Sequence, residues 1–175
     1  MDFISEIFAP VQLLAWVAGT LYFISYQKQS GNKTIFLWAP ADFLFLLHYY
    51  FMNAPFFMII AMGSTVRSVI ALKFSRKILG MYLVFYVLGA LILLAFMGEG
   101  VKDYCAMGGT IAFSFSVWMK DKFIIHRLFA FVHQILWIIA FALLGSYGGL
   151  ALTFLIFISN LIGTGRYLLN KRHGA

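Results

Sequence analysis

Asp42 and Arg67 invite chemistry first, because a carboxylate and a guanidinium each stand inside an otherwise apolar run. A charged side chain at the centre of a bilayer costs about 2.5–3.5 kcal/mol on insertion scales, so neither is expected there alone. Pairing relieves both, and the alternative for Asp42 is to neutralise itself by taking a proton. His48 and His133 add groups able to exchange protons near neutral pH, although a buried histidine more often satisfies a backbone carbonyl. Asp42, His133 and His48 are therefore candidate proton sites. Trp137 lies well inside its run and could stack on a ring-bearing solute, whereas Trp16, Trp38 and Trp118 stand nearer run ends and read as interface anchors.

Other chemistries lack their residues. There is no His-Glu-x-x-His stretch, no pair of catalytic aspartates and no Gly-x-Ser-x-Gly elbow, so enzyme activity is not expected. The single cysteine, Cys105, permits no internal disulfide. No metal site or cofactor is expected: His48 and His133 fall in opposite leaflets, too far apart in depth to share a haem, and no lysine stands at mid-depth to hold retinal.

The elements that must position these residues follow from composition. Of 175 residues 63% are hydrophobic and 11% charged, with a mean hydropathy of +0.92, which places the chain in a membrane. Seven apolar runs alternate with short charged segments, at 7–26, 34–52, 54–72, 78–97, 104–119, 128–144 and 150–168. At 16 to 20 residues they are roughly what a hydrocarbon core of about 30 Å requires of a helix. Lys28, Lys33, Lys73, Arg76, Lys77, Lys120, Lys122, Arg127, Lys171 and Arg172 fall on one side and only Lys102 on the other. The positive-inside rule then puts the N-terminus outside and the C-terminus in the cytoplasm. The start MDFISEIF is acidic and lacks a basic leader, so the first run is expected to stay as a helix. Topology accounts for the net charge of +7; the lipid bilayer is the expected partner, nucleic acid is not, and a homo-oligomer is permitted.

Depth brings the two charges together. Arg67 lies six residues before Lys73 and Asp42 nine after Lys33, so both sit ~9–14 Å from the cytoplasmic boundary at 1.5 Å per residue. Helical side chains lean toward the N-terminus of their helix, and these two helices run oppositely, so each residue leans toward the other. Snorkelling to head groups is the competing reading of Arg67 and the favoured one for Arg166. The pair could be a latch between helices or a part of a solute path. Pro40, close to Asp42, is expected to kink the second run, and an unwound turn there could coordinate a solute.

The two halves echo each other. Gly19-Thr20-Leu21-Tyr22-Phe23 in the first run matches Gly109-Thr110-Ile111-Ala112-Phe113 in the fifth, and Thr65-Val66-Arg67 in the third matches Thr164-Gly165-Arg166 in the seventh. Two triple-helix repeats, 7–74 and 104–168, joined by a linker helix at 78–97 that mostly faces lipid, would make one membrane domain. This 3+1+3 arrangement with the N-terminus outside resembles the SWEET/PQ-loop superfamily. Within it, His48-Tyr49-Tyr50, Arg67 and the pattern Gly148-Gly149…Asn160…Arg166 are most similar to the Imp-YgjV bacterial inner membrane proteins. No Pro-Gln pair occurs, so proline-hinged rocking is not expected.

The resemblance implies an all-α, seven-helix protein of the bacterial inner (cytoplasmic) membrane with a pocket between two repeats. It implies that the last helix of each repeat lines that pocket and that an asparagine there contacts solute. Asn160 thus becomes the leading substrate-binding residue, joined by Asp42, Arg67, Ser64 and Trp137. The expected function is that of a facilitator or secondary transporter for an unknown small polar solute. The alternative is a membrane sensor or receptor, or an accessory structural subunit without transport.

Overall fold

A computed structural model describes residues 10–145 and 147–172. These form seven helices: α1 (Pro10–Ser25), α2 (Gly31–Phe51), α3 (Pro55–Lys73), α4 (Arg76–Met97), α5 (Val101–Trp118), α6 (Phe123–Leu144) and α7 (Tyr147–Arg172). Residues 7–9 of the first expected run lie outside the described residues. Short connections are closed by local chemistry. Pro55 opens α3, where its missing N–H costs nothing. Ser75 accepts from the Ile78 amide to cap α4. Gly145, at φ 69°, terminates α6 in the left-handed conformation.

Five helices, α2, α3, α4, α6 and α7, are long and apolar enough to cross a membrane. The first helix is shorter at 16 residues. In α5, Lys102 and Asp103 open the helix, and Gly108, Gly109, Thr110, Ser114 and Ser116 follow within it. Its polar groups are paired inside the protein: Thr110 donates to Ala106 O and Ser114 to Thr110 O, both at 2.9 Å. That pairing is what a helix enclosed by other helices requires.

Helices adjacent in sequence pack on one another from α1 to α3 and from α5 to α7. Two further contacts, α1 with α7 and α3 with α5, close these six helices into a ring. The fourth helix lies outside it, between α3 and α5, and is the least buried of the five long spans. It is fastened by hydroxyls that reach across to α3, with Tyr82 donating to Gly63 O at 2.7 Å and Tyr86 to Ile60 O at 2.8 Å.

Buried positions recur along the chain with a fixed offset. In α3 they are 56, 57, 60, 61, 64, 67, 68 and 71, and 92 residues later in α7 they are 148, 149, 152, 153, 156, 159, 160 and 163. The same offset relates Thr34, Ile35, Trp38 and Asp42 of α2 to His126, Arg127, Ala130 and Gln134 of α6. This register places Arg67 opposite Ser159. The match of Arg67 with Arg166 drawn from sequence is two helical turns away from it, and Arg166 is exposed, donating to Gln27 Oε1 at 3.0 Å.

Several expectations are corrected. The second helix runs unbroken through Pro40, so no unwound turn exists beside Asp42; packing against α1 and α3 holds the helix despite one lost hydrogen bond. Trp38 is not an interface anchor, because α2 begins at Gly31 and carries it two turns inward. It is fully buried, donates to Ser25 Oγ at 2.7 Å and lies 4.3 Å from the Phe113 ring, centre to centre. The sixth helix starts at Phe123 rather than Leu128, which draws His126 and Arg127 out of the expected loop and into the core.

Candidate functional site

Every helix of the ring contributes to a central cavity of about 70 Å³. Tyr22 comes from α1, Asp42 and Tyr49 from α2, Ser64 from α3, Thr110 and Phe113 from α5, His133, Gln134 and Trp137 from α6, and Thr153 and Ile156 from α7; Tyr26, just past α1, completes the polar wall. A water molecule needs roughly 10–15 Å³ of such space, so the cavity holds a few waters or a very small solute. It is far below the ~300–1,000 Å³ of pockets that enclose drug-sized ligands.

Beyond one end of the cavity lies a vestibule of about 750 Å³ bordered by Gln12, Asn53, Glu99, Lys102 and Asp103. An aromatic layer separates the two spaces: Phe57 borders the vestibule, and its ring lies 5.6 Å from Tyr49 and 5.7 Å from Trp137, both of which border the cavity. The other end is rich in lysine. There Arg127 donates to Tyr26 O at 2.9 Å and Lys28 O at 2.7 Å, tying α6 to the end of α1.

Asp42 and Arg67 meet as their opposed leans predict, Oδ2 to Nη2 at 3.8 Å, with the guanidinium wholly buried. The carboxylate's closest partners are hydroxyls. Tyr22 donates to Oδ1, and Ser68 donates to Oδ2 at 2.9 Å. Arg67 itself donates to Ser114 Oγ at 3.3 Å and stacks its guanidinium 4.4 Å from the Phe113 ring centre. Its Nε and Nη2 have no hydrogen-bond partner.

Across the cavity a second polar cluster occupies the equivalent positions. Asn160 Nδ2 donates to Gln134 Oε1 at 3.2 Å, and Arg127 Nη1 donates to Asn160 Oδ1 at 3.1 Å. Gln134 and Asn160 stand 92 residues after Asp42 and Ser68, so a hydrogen bond in one half has its counterpart in the other.

The structure sorts the residues singled out from sequence. Asp42, Ser64, His133 and Trp137 border the cavity; Arg67 stands behind Asp42, and Asn160 stands behind Gln134, fully buried. Ser64 pairs with the Tyr86 hydroxyl at 3.1 Å. His133 uses Nδ1 on Gly109 O at 2.9 Å and stacks on Phe113 at 4.3 Å. His48 lies away from the cavity, with Nδ1 on Val11 O at 2.9 Å. Three residues escaped the sequence reading: Tyr22, Tyr26 and Arg127. Arg127 was counted among the loop cations, because a cation beside Lys120 and Lys122 gives no sign that the helix has begun. The two tyrosines could have been found from helical spacing, since Tyr22 and Tyr26 share a face with Ala15 and Ala18.

A ring of helices around a central cavity, with an exposed apolar exterior and five helices long and apolar enough to span a bilayer, defines a polytopic membrane protein. The chain belongs to the Imp-YgjV family of bacterial inner membrane proteins, whose family model matches residues 10–171. It is a multi-pass protein of the bacterial inner membrane. No curated protein and no solved structure matches it.

Proposed function

We propose that this protein moves a small polar solute across the inner membrane, through a site at the centre of two triple-helix units related as in the SWEET/PQ-loop superfamily. The observation that carries the reading is the cavity itself, lined by every ring helix and bordered by Tyr22, Asp42, Ser64, Thr110, His133 and Gln134 among apolar side chains. Matching burial between α1–α3 and α5–α7 supports duplicated units, with α4 as the linker that reverses direction between them. Lysine and arginine at one end support an external N-terminus. Alternating access then consists of parting the aromatic layer at one end and the Arg127 ties at the other. No catalysis is assigned.

The test is solute uptake by proteoliposomes, followed as osmotic swelling with sugars, nucleosides, amino acids and organic acids. Wild-type protein is expected to accelerate uptake of at least one class over empty liposomes. Asp42→Asn and Asn160→Ala are expected to slow it at least tenfold. No acceleration for any class refutes transport, and undiminished uptake by both variants removes these residues from the path.

A further inference from the structure

A second concave surface lies on the outside of the ring, where α4 packs more sparsely on α5 than α6 does. It is a groove of about 250 Å³, walled by Gly80, Val84 and Leu88 on one face of α4 and by Ile111, Phe115 and Trp118 on one face of α5. Val84, Leu88 and Phe115 stay exposed. A Cβ added at Gly80 would meet nothing within 4 Å, so this glycine leaves space open instead of admitting a neighbouring helix. From Gly80 to Leu88 the groove follows α4 for ~12 Å at 1.5 Å per residue, most of one leaflet's share of a ~30 Å hydrocarbon core. A flexible hydrocarbon chain laid along it recovers the dispersion contacts that an unfilled groove forfeits.

Charge gathers at one mouth of the groove. Arg76 and Lys77 open α4 one turn before Gly80, and no acid shares that first turn. A helix N-terminus carries partial positive charge, so two cations there are unfavourably placed until an anion joins them. Neither residue takes part in an ion pair among the described residues. Arg76 is nonetheless held over the groove: its guanidinium lies 5.8 Å from the ring centre of Trp118, and Nη2 approaches Met119 Sδ at 3.9 Å.

We propose that the groove between α4 and α5 binds one anionic phospholipid from the leaflet at the lysine-rich end, with an acyl chain against Gly80, Val84 and Phe115 and the phosphodiester on Arg76 and Lys77. A guanidinium presents a planar fork of donors that matches phosphate, and Lys77 adds a second charge. A zwitterionic lipid fits less well, because its ammonium is brought toward two cations. A second copy of the chain fits less well too: packed here about a twofold axis along the membrane normal, it would set its own Arg76 and Lys77 at the same level, cation against cation. The site stands apart from the central cavity and does not depend on transport.

Native mass spectrometry of the purified full chain in detergent, titrated with dioleoyl phosphatidylglycerol or dioleoyl phosphatidylethanolamine, counts bound lipids and gives their affinities. The first phosphatidylglycerol is expected to bind at least fivefold more tightly than phosphatidylethanolamine. Arg76 is exposed and Gly80 faces open space, so Arg76→Gln and Gly80→Leu should keep the fold, which unfolding temperatures check. Each is expected to weaken phosphatidylglycerol at least fivefold, the first by removing the charge and the second by filling the groove. Lys171→Gln, an exposed cation on α7, is expected to leave it within twofold. Equal affinity for the two lipids, an affinity within twofold of wild type in either Arg76→Gln or Gly80→Leu, or an equal loss in Lys171→Gln overturns the assignment. So does a dimer that Gly80→Leu dissolves, which would give the groove to a second copy.

Discussion

Asp42 and Arg67 stand 3.8 Å apart, oxygen to nitrogen, at a point where the guanidinium has no exposure at all. The separation is longer than a charge-assisted hydrogen bond, which runs to about 2.7–2.9 Å. Contact with Ser114 and with the face of Phe113 pulls the guanidinium aside, while Tyr22 and Ser68 hold the carboxylate. The two charges thus compensate one another without being locked together, as a pair must if it is to separate during a conformational cycle.

Removing one partner should be worse than removing both. Arg67→Leu leaves a buried carboxylate facing only hydroxyls, a change expected to cost about 3–5 kcal/mol. The double variant Asp42→Asn/Arg67→Leu should regain part of that loss, since no isolated charge remains. Thermal unfolding in detergent measures both, and a double variant no more stable than Arg67→Leu would show that the pair is not coupled.

Tyr22→Phe should destabilise by about 1.5–3 kcal/mol, the usual worth of a hydrogen bond to a charged group. Ser68→Ala should cost a similar amount. Because both hydroxyls serve one carboxylate, their losses should not add. Unfolding of the double variant checks this, and strict additivity within about 0.3 kcal/mol would argue that Tyr22 acts by packing alone.

Much of this was legible in the sequence, for physical reasons that differ by residue. Helix number and most boundaries followed from run length against bilayer thickness, and the meeting of Asp42 with Arg67 followed from depth and side-chain lean. What escaped depended on contacts between distant parts of the chain. Arg127 looked like any loop cation until the backbone carbonyls of Tyr26 and Lys28 gave it buried partners. Asn160 is fully buried, yet Gln134 stands between it and the cavity. The correspondence between α3 and α7 lies in burial rather than in residue type, because Ser68 and Asn160 share a position and a bond without sharing a residue type.

The proposed orientation makes a clean prediction for labelling. In a Cys105→Ser background, Glu99→Cys, at the vestibule end, should react with a membrane-impermeant maleimide in intact spheroplasts. Lys77→Cys, at the lysine-rich end, should react only after the membrane is opened. The opposite pattern would invert the topology and place the vestibule in the cytoplasm.

Gly163 and Gly165, two residues apart on α7, should respond in opposite ways to alanine. A Cβ at Gly163 would overlap the Tyr26 carbonyl oxygen, a backbone atom that cannot swing aside and that also accepts from Arg127. Gly163→Ala should therefore push α7 from the end of α1 and loosen the Arg127 ties, lowering stability by about 1–3 kcal/mol, as overpacking does. A Cβ at Gly165 meets nothing within 4 Å, so Gly165→Ala should be neutral or stabilising by up to about 1 kcal/mol through helix propensity alone. Unfolding temperatures of the two variants decide the matter. Equal tolerance at both positions would mean that α7 does not approach Tyr26 this closely, and the ties that Arg127 makes between α6 and the end of α1 would have to be redrawn.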